Sequence, residues 1–360
     1  MPTLPERLPR IDFEFSAGCD HRCAHCYNVW GAEKSDPQGG YKLGRPLPTP
    51  LFKTMIKKTM RQTQAQHVTV TGGEPLLRKD ALELIELISQ TAKTITLITN
   101  GSHIDAEIAT ALKRLNVNQV QLTLLSTDRD RHNRLKGADC YLDTVRSARH
   151  LQQAGVPVTC CFVAMKENAP DFEKVLELCF ALGIEHVSYN RMSPTGGAVH
   201  HIQRLMPSVE QVEANLEEAN RLGPKYNIKV ATAMPIPPCL IRTARYPNVS
   251  FGLCSTGSES PNIVIDSAGN VRSCNLSSGI MGNILAQNWS EIRKTDYPTK
   301  FVRDVPEMCK GCAYERTCQG GCKESAFAVF GDHSHPEPFL WLSLTEANRE
   351  NLPLAQIESL

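Results

Sequence analysis

No run of about eighteen consecutive apolar residues occurs in this 360-residue chain, so no segment has the length and hydropathy of a membrane-spanning helix. The first ten residues hold Pro2, Pro5 and Pro9 but no apolar stretch that could form the core of a secretory signal. Neither charge sign is in excess, since 39 Lys and Arg stand against 38 Asp and Glu. A surface so balanced has no electrostatic footprint for nucleic acid or for an anionic membrane. There is no repeat at a solenoid period and no long low-complexity segment. Together these absences point to a cytoplasmic globular protein with neither a nucleic-acid nor a membrane partner. The length allows one large α/β domain and a smaller one.

Cysteine, by contrast, is plentiful. Fourteen cysteines in a chain without an export signal, several grouped as C-x3-C and C-x2-C, read as reduced metal ligands rather than as disulfides. Cys140, Cys160, Cys161 and Cys179 fall within or beside helix and strand patterns and read as small buried hydrophobes.

Short β-branched runs alternate with amphipathic segments over the first two hundred or so residues. Strands are expected at 11–15, 67–71, 94–99, 119–125, 156–164 and 186–190, and helices at 49–64, 79–90, 105–115, 141–154, 171–182 and 208–222. Such alternation implies a parallel sheet, because parallel neighbours need crossover connections. The expected fold is α/β, a partial (β/α)6 TIM-like barrel over 1–225 with a small carboxyl-terminal domain over 226–360. In parallel barrels the chemistry gathers at the carboxyl ends of the strands. The unusual residues of this chain fall there.

Cys19, Cys23 and Cys26 follow the first expected strand in one short loop. Three thiolates can hold three irons of a [4Fe-4S] cube and leave the fourth iron open. Zinc is the rival occupant, although structural zinc sites are closed by four ligands and the fourth is missing locally. After the second strand come Gly72-Gly73-Glu74-Pro75. Paired glycines allow close backbone approach, the carboxylate can accept from an ammonium, and the proline stiffens the exit into a helix. Alone, the stretch reads as an ordinary β-to-α turn.

The two motifs together, roughly 45 residues apart, resemble the signature of radical S-adenosylmethionine (SAM) enzymes. The resemblance implies that the open iron is chelated by the amino and carboxylate groups of SAM, and that the Gly72–Pro75 turn contacts the SAM amino group. It also implies an aromatic, here Tyr27, near the adenine and a hydroxyl near the end of the fourth strand for the ribose. Both Thr123 and Ser126 qualify, but on a regular strand they face opposite sides, so one serves. Asn168 and Arg191 complete the expected set of SAM contacts, unless Asn168 caps a helix and Arg191 forms an ion pair; Asn100 reads as a turn cap. His25 departs from the aromatic more usual before the last cysteine, and removes no ligand.

Beyond the barrel pattern, 262–274 reads as a β-hairpin with a Gly-Asn turn that presents Cys274. The series Cys239, Cys254, Cys274, Cys309, Cys312, Cys318 and Cys322 resembles the SPASM extension of radical SAM enzymes, which holds two auxiliary [4Fe-4S] clusters. Carried over by position, Cys239, Cys254, Cys274 and Cys322 would bind the first, and Cys309, Cys312 and Cys318 the second. The family's final cysteine is absent, which leaves the second cluster with an open iron or with solvent, Asp332, His333 or His335 as ligand. Two zinc sites are the alternative, and seven cysteines are one short of two complete four-cysteine sets.

The family mechanism so implied is reductive cleavage of SAM to a 5′-deoxyadenosyl radical that takes hydrogen from an inert carbon, with electrons from a ferredoxin- or flavodoxin-type donor. The leading substrate is a ribosomally made peptide, matured by oxidative crosslinking. The chain begins about ten residues before its first strand, so leader recognition is expected from a separate protein. Oxidation or decarboxylation of a small molecule or cofactor precursor, as in tetrapyrrole tailoring, is the alternative. A formylglycine maturase is disfavoured because Asn275 follows Cys274 where an acidic base is expected. A non-catalytic iron–sulfur carrier would leave the Gly72–Pro75 turn unexplained.

Overall fold

The computed structural model describes residues 4–30 and 46–344. Its strands are β1 Arg10–Ser16, β2 His67–Gly72, β3 Thr94–Thr99, β4 Gln119–Thr123, β5 Val158–Ala164, β6 His186–Arg191, β7 Lys229–Thr232, β8 Val249–Phe251, β9 Asn262–Ile265, β10 Asn270–Arg272 and β11 Ile280–Asn283. The crossover helices are α1 Thr49–Thr63, α2 Ala81–Ser89, α3 Ala106–Arg114, α4 Arg129–Lys136, α5 Tyr141–Gln153, α6 Phe172–Ala181, α7 Ile202–Leu205 and α8 Val209–Lys225. All six strands expected for the barrel are present, with ends within two residues of the expected ones.

One eleven-stranded sheet runs β11-β10-β9-β1-β2-β3-β4-β5-β6-β7-β8. Strands β1 to β8 are parallel in sequence order, and the sheet does not close into a barrel. Two strands extend it beyond the six: β7 and β8 pair parallel past β6. The hairpin around Gly269 forms, but β9 then pairs parallel with the free edge of β1, so the carboxyl-terminal region becomes part of the same sheet. Cys274 lies just beyond β10 rather than on it.

The strand period of two sorts the side chains into opposite faces. On β1, Ile11, Phe13 and Phe15 join the core beneath the helices, with Phe15 edge-on to Phe52 of α1 at 5.4 Å. Asp12, Glu14 and Ser16 alternate with them on the opposite face, and are buried too. The same alternation sends Cys160 of β5 against Cys179 of α6 and Tyr189 of β6 against Asn215 of α8, while Cys161 and Asn190 face each other on the other side at 3.7 Å. A polar inner face is therefore built strand by strand. Helix α4 was not expected: its eight residues, Arg129 to Lys136, carry no apolar stripe.

Candidate active site

The cysteine loop leaves β1 and is docked on two partners. On one side, the Gly73 amide donates to the Ser16 carbonyl at 2.7 Å and the Glu74 amide to the Gly18 carbonyl at 2.8 Å. The approach is so close that a Cβ on Gly73 would fall 2.3 Å from the Gly18 oxygen. Gly72 has φ +134°, a conformation that glycine adopts without strain, and a Cβ there would meet the Ser16 oxygen at 2.5 Å. On the other side, the amides of Arg22 and Ala24 each donate at 3.1 Å to the carbonyls of Lys136 and Leu135, at the end of α4. The loop is thus clamped between the turn after β2 and a helix that the sequence pattern concealed.

Within the clamp, Glu74 is fully buried and accepts from the Leu76 amide at 3.0 Å, the Thr99 hydroxyl at 2.8 Å and the Asn100 amide at 2.7 Å. Its position is fixed by the turns after β2 and β3. Asn100 spans from this turn to the loop, donating its side-chain amide to Asp20 at 2.7 Å, and His103 meets the same carboxylate at 2.9 Å. Pro75 opens a short helical turn for which Glu74 is the cap.

All fourteen cysteines are free thiols. The thiols of Cys19, Cys23 and Cys26 act electrostatically on one another, so the three are mutual neighbours. Burial pushes each of them up, Cys26 to about 12, and the Lys136 ammonium opposes that rise at Cys23 and Cys26. Metal binding at this loop must therefore displace protons, and a buried cation stands ready to offset the thiolate charge. Among the described residues no three His, Cys, Asp or Glu are drawn together tightly enough to hold a single metal ion. Thiolates that each bind a different iron of a cube stand farther apart than those around one zinc. The donor set, three adjacent free cysteines in one loop, fits a [4Fe-4S] cluster with one open iron.

The other expected SAM contacts are distributed unevenly. Thr123 ends β4 on the face opposite the core residues Val120 and Leu122. Tyr27 is half-buried, and its hydroxyl lies within electrostatic reach of Glu14, Cys26, Cys161 and Asp12, toward the inner face. Ser126 is turned elsewhere: its hydroxyl donates to Asp171 at 2.5 Å and accepts from the Asp128 amide at 2.9 Å. Asn168 fastens three backbone groups, accepting from the Met165 amide at 2.7 Å and donating to the carbonyls of Leu125 and Val163 at 2.8 and 3.0 Å. Arg191, on the helix side of β6, forms a buried ion pair with Glu337 and donates to the Pro235 carbonyl at 3.2 Å.

Several residues of the site carry no motif. Asp12, 5% exposed, accepts from the side-chain amides of Asn262 at 2.7 Å and Asn275 at 2.8 Å, and burial raises its carboxyl. The Oδ1 atoms of both asparagines are buried without a partner. Glu14 is bonded by Arg272 and by the Trp30 indole at 2.8 Å. Acids at alternate positions of an otherwise apolar strand, as in Ile11-Asp12-Phe13-Glu14-Phe15, are the one sequence signal that could have exposed this polar inner face.

Comparison with known proteins agrees with this geometry. Residues 13–179 match the radical SAM superfamily. Over 349 residues the chain is 26% identical to a PqqA peptide cyclase of Granulibacter bethesdensis, covering 92% of this chain and 86% of that protein. It is 24% identical over 342 residues to an AdoMet-dependent heme synthase of Methanosarcina barkeri, covering 91% and 95%. Among solved structures, Streptococcus suis SuiB bound to the precursor peptide SuiA superposes with a TM-score of 0.72 at 14% identity, over 93% of this chain and 76% of that one. That likeness is one of fold.

Proposed function

We infer that this chain, a radical SAM enzyme, oxidatively matures a peptide substrate, taking hydrogen from an unactivated carbon so that a crosslink or related bond can form. The observation that carries the reading is the clamp that seats Cys19, Cys23 and Cys26 against Gly73 and Glu74, at the mouth of a buried polar face. When bound there, the cluster and SAM supply a 5′-deoxyadenosyl radical. The chain's own residues do the rest. Gly72, Gly73, Glu74 and Pro75 form the wall for the SAM amino group, Thr123 and Tyr27 face the same space, and Ser126, Asn168 and Arg191 support the surrounding turns.

Oxidation of the substrate balances as one hydrogen atom lost to the radical, then one proton and one electron lost as the new bond forms. Asp12, whose hydrogen bonds come from the neutral side chains of Asn262, Asn275 and Thr69 while Arg10 acts on it through charge alone, takes the proton in this reading. One of those amides is Asn275, next to Cys274, so an auxiliary cluster at the carboxyl-terminal cysteines would lie one residue from the inner face and could take the electron. In this reading 1–225 generates the radical, and 226–360 is a SPASM-type domain with two auxiliary [4Fe-4S] clusters. A ferredoxin- or flavodoxin-type protein supplies electrons in the cytoplasm. The PqqA peptide cyclase among the relatives supports a peptide substrate. The heme synthase keeps a second reading in view, oxidation of a tetrapyrrole precursor.

The test is anaerobic turnover with SAM and a reductant. The reconstituted protein should form 5′-deoxyadenosine, and a peptide encoded beside its gene should lose two mass units for each crosslink. Changing Cys19, Cys23 and Cys26 together to alanine should abolish 5′-deoxyadenosine. Undiminished formation in that variant would sink the assignment of the loop, whereas a modified porphyrin and an untouched peptide would favour the second reading.

A further inference from the structure

The seven carboxyl-terminal cysteines divide differently in space than their order suggests. Cys239 is a neighbour of Cys312, Cys309 of Cys239 and Cys312, and Cys318 of Cys239, each thiol acting on the next. Separately, Cys274 is a neighbour of Cys254 and Cys322, and Cys322 of Cys254.

Backbone scaffolding holds the same division. Pro235, in the segment that leads to Cys239, gives its carbonyl to Arg191, and Arg191 pairs with Glu337. The Glu337 amide donates to the Gly320 carbonyl at 3.0 Å, just after Cys318. Gly320 lies beneath Pro306, where a Cβ would fall 2.4 Å from the proline ring, and the Pro306 carbonyl accepts from the Cys309 amide at 2.8 Å. An unbroken series of contacts therefore ties the Cys239 segment to the turns that carry Cys309 and Cys318. The other three cysteines have their own scaffold: Thr256 reaches the Ser273 carbonyl at 3.5 Å, and the Tyr297 hydroxyl joins Ser277 at 3.0 Å to Glu324 at 2.6 Å, beside Cys322.

Resting on the reading of 226–360 as an auxiliary-cluster domain, the geometry points to Cys239 as the fourth ligand of the Cys309–Cys312–Cys318 cluster, leaving the iron without a cysteine in the Cys254–Cys274–Cys322 set, beside buried Glu324. The side chains considered as substitutes from sequence are engaged elsewhere. Asp332 accepts from the Ser334 amide at 2.8 Å and hydroxyl at 2.5 Å. His335 stacks on Phe330 at 3.6 Å and donates to the Pro336 carbonyl at 2.8 Å. His333 stacks on Phe327 and faces Glu324, on the side of the other set. The consequence is functional. A fully thiolate-ligated cluster can only relay electrons, whereas an open iron near Cys274 stands next to Asn275 and the inner face, where a substrate donor atom could reach it.

The test uses the full-length chain with Cys19, Cys23 and Cys26 changed to alanine, so that only carboxyl-terminal clusters remain. Reconstituted anaerobically, this protein should hold about eight irons and show two reduced paramagnetic signals. Cys312→Ala and Cys274→Ala identify the two signals by the one that each loses. Cys239→Ala should lose the signal that Cys312→Ala loses, and Cys239→Ser, which keeps the volume and offers an oxygen ligand, should shift that signal alone. If Cys239→Ala fails to fold, the serine variant carries the assignment. A shift in the Cys274 signal, or no change in either, overturns the proposal while leaving the auxiliary-cluster reading intact. A triple-alanine protein that binds no iron overturns that reading and the proposal together.

Discussion

At the scale of single residues, the proposed mechanism gives Gly73 and Asp12 different parts of the chemistry. Gly73 has an ordinary backbone, yet any Cβ would press on the Gly18 oxygen at 2.3 Å, and backbone cannot give way as a side-chain tip can. Gly73→Ala should therefore push the cysteine loop off its seat and lower the rate of 5′-deoxyadenosine formation by on the order of 100-fold, the cost of misplacing reacting groups by about an ångström. A rate within about threefold of the parent would show that the contact does not position the loop. In the proposed mechanism Asp12 belongs to a later step. Asp12→Asn should lower the yield of modified peptide per 5′-deoxyadenosine by about 100-fold, the usual share of a general base. A base must be ionised, and burial raises this carboxyl, so product yield should fall on acidification at a pH above the ordinary carboxylate range. A pH-independent yield in the parent enzyme would remove Asp12 from that role.

At the scale of elements, α4 shows where the sequence was opaque. β-branched runs bounded by glycine and proline made the six barrel strands readable, and cysteine spacing marked the loop, because both are local signals. Arg129 to Lys136 has no apolar period, and its helix exists because Asp128 caps it, Gly137 ends it and the cysteine loop docks on its last carbonyls. The pairing of β9 with β1 and the company of Cys239 are contacts between distant segments, which no local pattern encodes. Helix α4 also makes the chain acid-sensitive. His132 is fully buried, faces Lys136, His21 and His25, and accepts from the Leu125 amide at 3.3 Å; burial, then the Lys136 charge, lowers its imidazole to about 3. The unfolded chain takes up a proton there below about 6.5 and the folded one does not. Stability should therefore fall by about 1.4 kcal/mol per pH unit from this group as pH drops below 6.5 toward 3. His132→Gln, which can still accept from Leu125, should flatten the pH dependence of urea unfolding by that share. An unchanged slope would mean that His132 is protonated in the fold.

At the scale of the whole molecule, the carboxyl-terminal region is locked to the rest by two buried ion pairs as well as by the sheet. Glu14 of β1 meets Arg272 of β10, and Arg191 of β6 meets Glu337, with Phe339 stacked on the guanidinium at 4.7 Å. Both pairs are almost wholly removed from water, so their Coulomb attraction is set against a large desolvation cost, and the net gain in stability is small. What they contribute is orientation, since each joins a strand of the parallel sheet to the segment that carries carboxyl-terminal cysteines. The costs of breaking and of replacing such a pair differ, and that difference is measurable. Glu337→Gln leaves the Arg191 charge buried and uncompensated, and should destabilise the full-length protein by about 3–5 kcal/mol in urea unfolding. Arg191→Met combined with Glu337→Leu removes both charges, and should cost markedly less than Glu337→Gln alone. If orientation is what the pair supplies, the double variant should still disturb the signal of the cluster proposed at Cys309, Cys312 and Cys318, because Pro235 and Gly320 lose the contact that joins their segments. A double variant that is as unstable as the single one, or that leaves the cluster signal untouched, would show that the pair acts through its charge and not through the geometry that it holds.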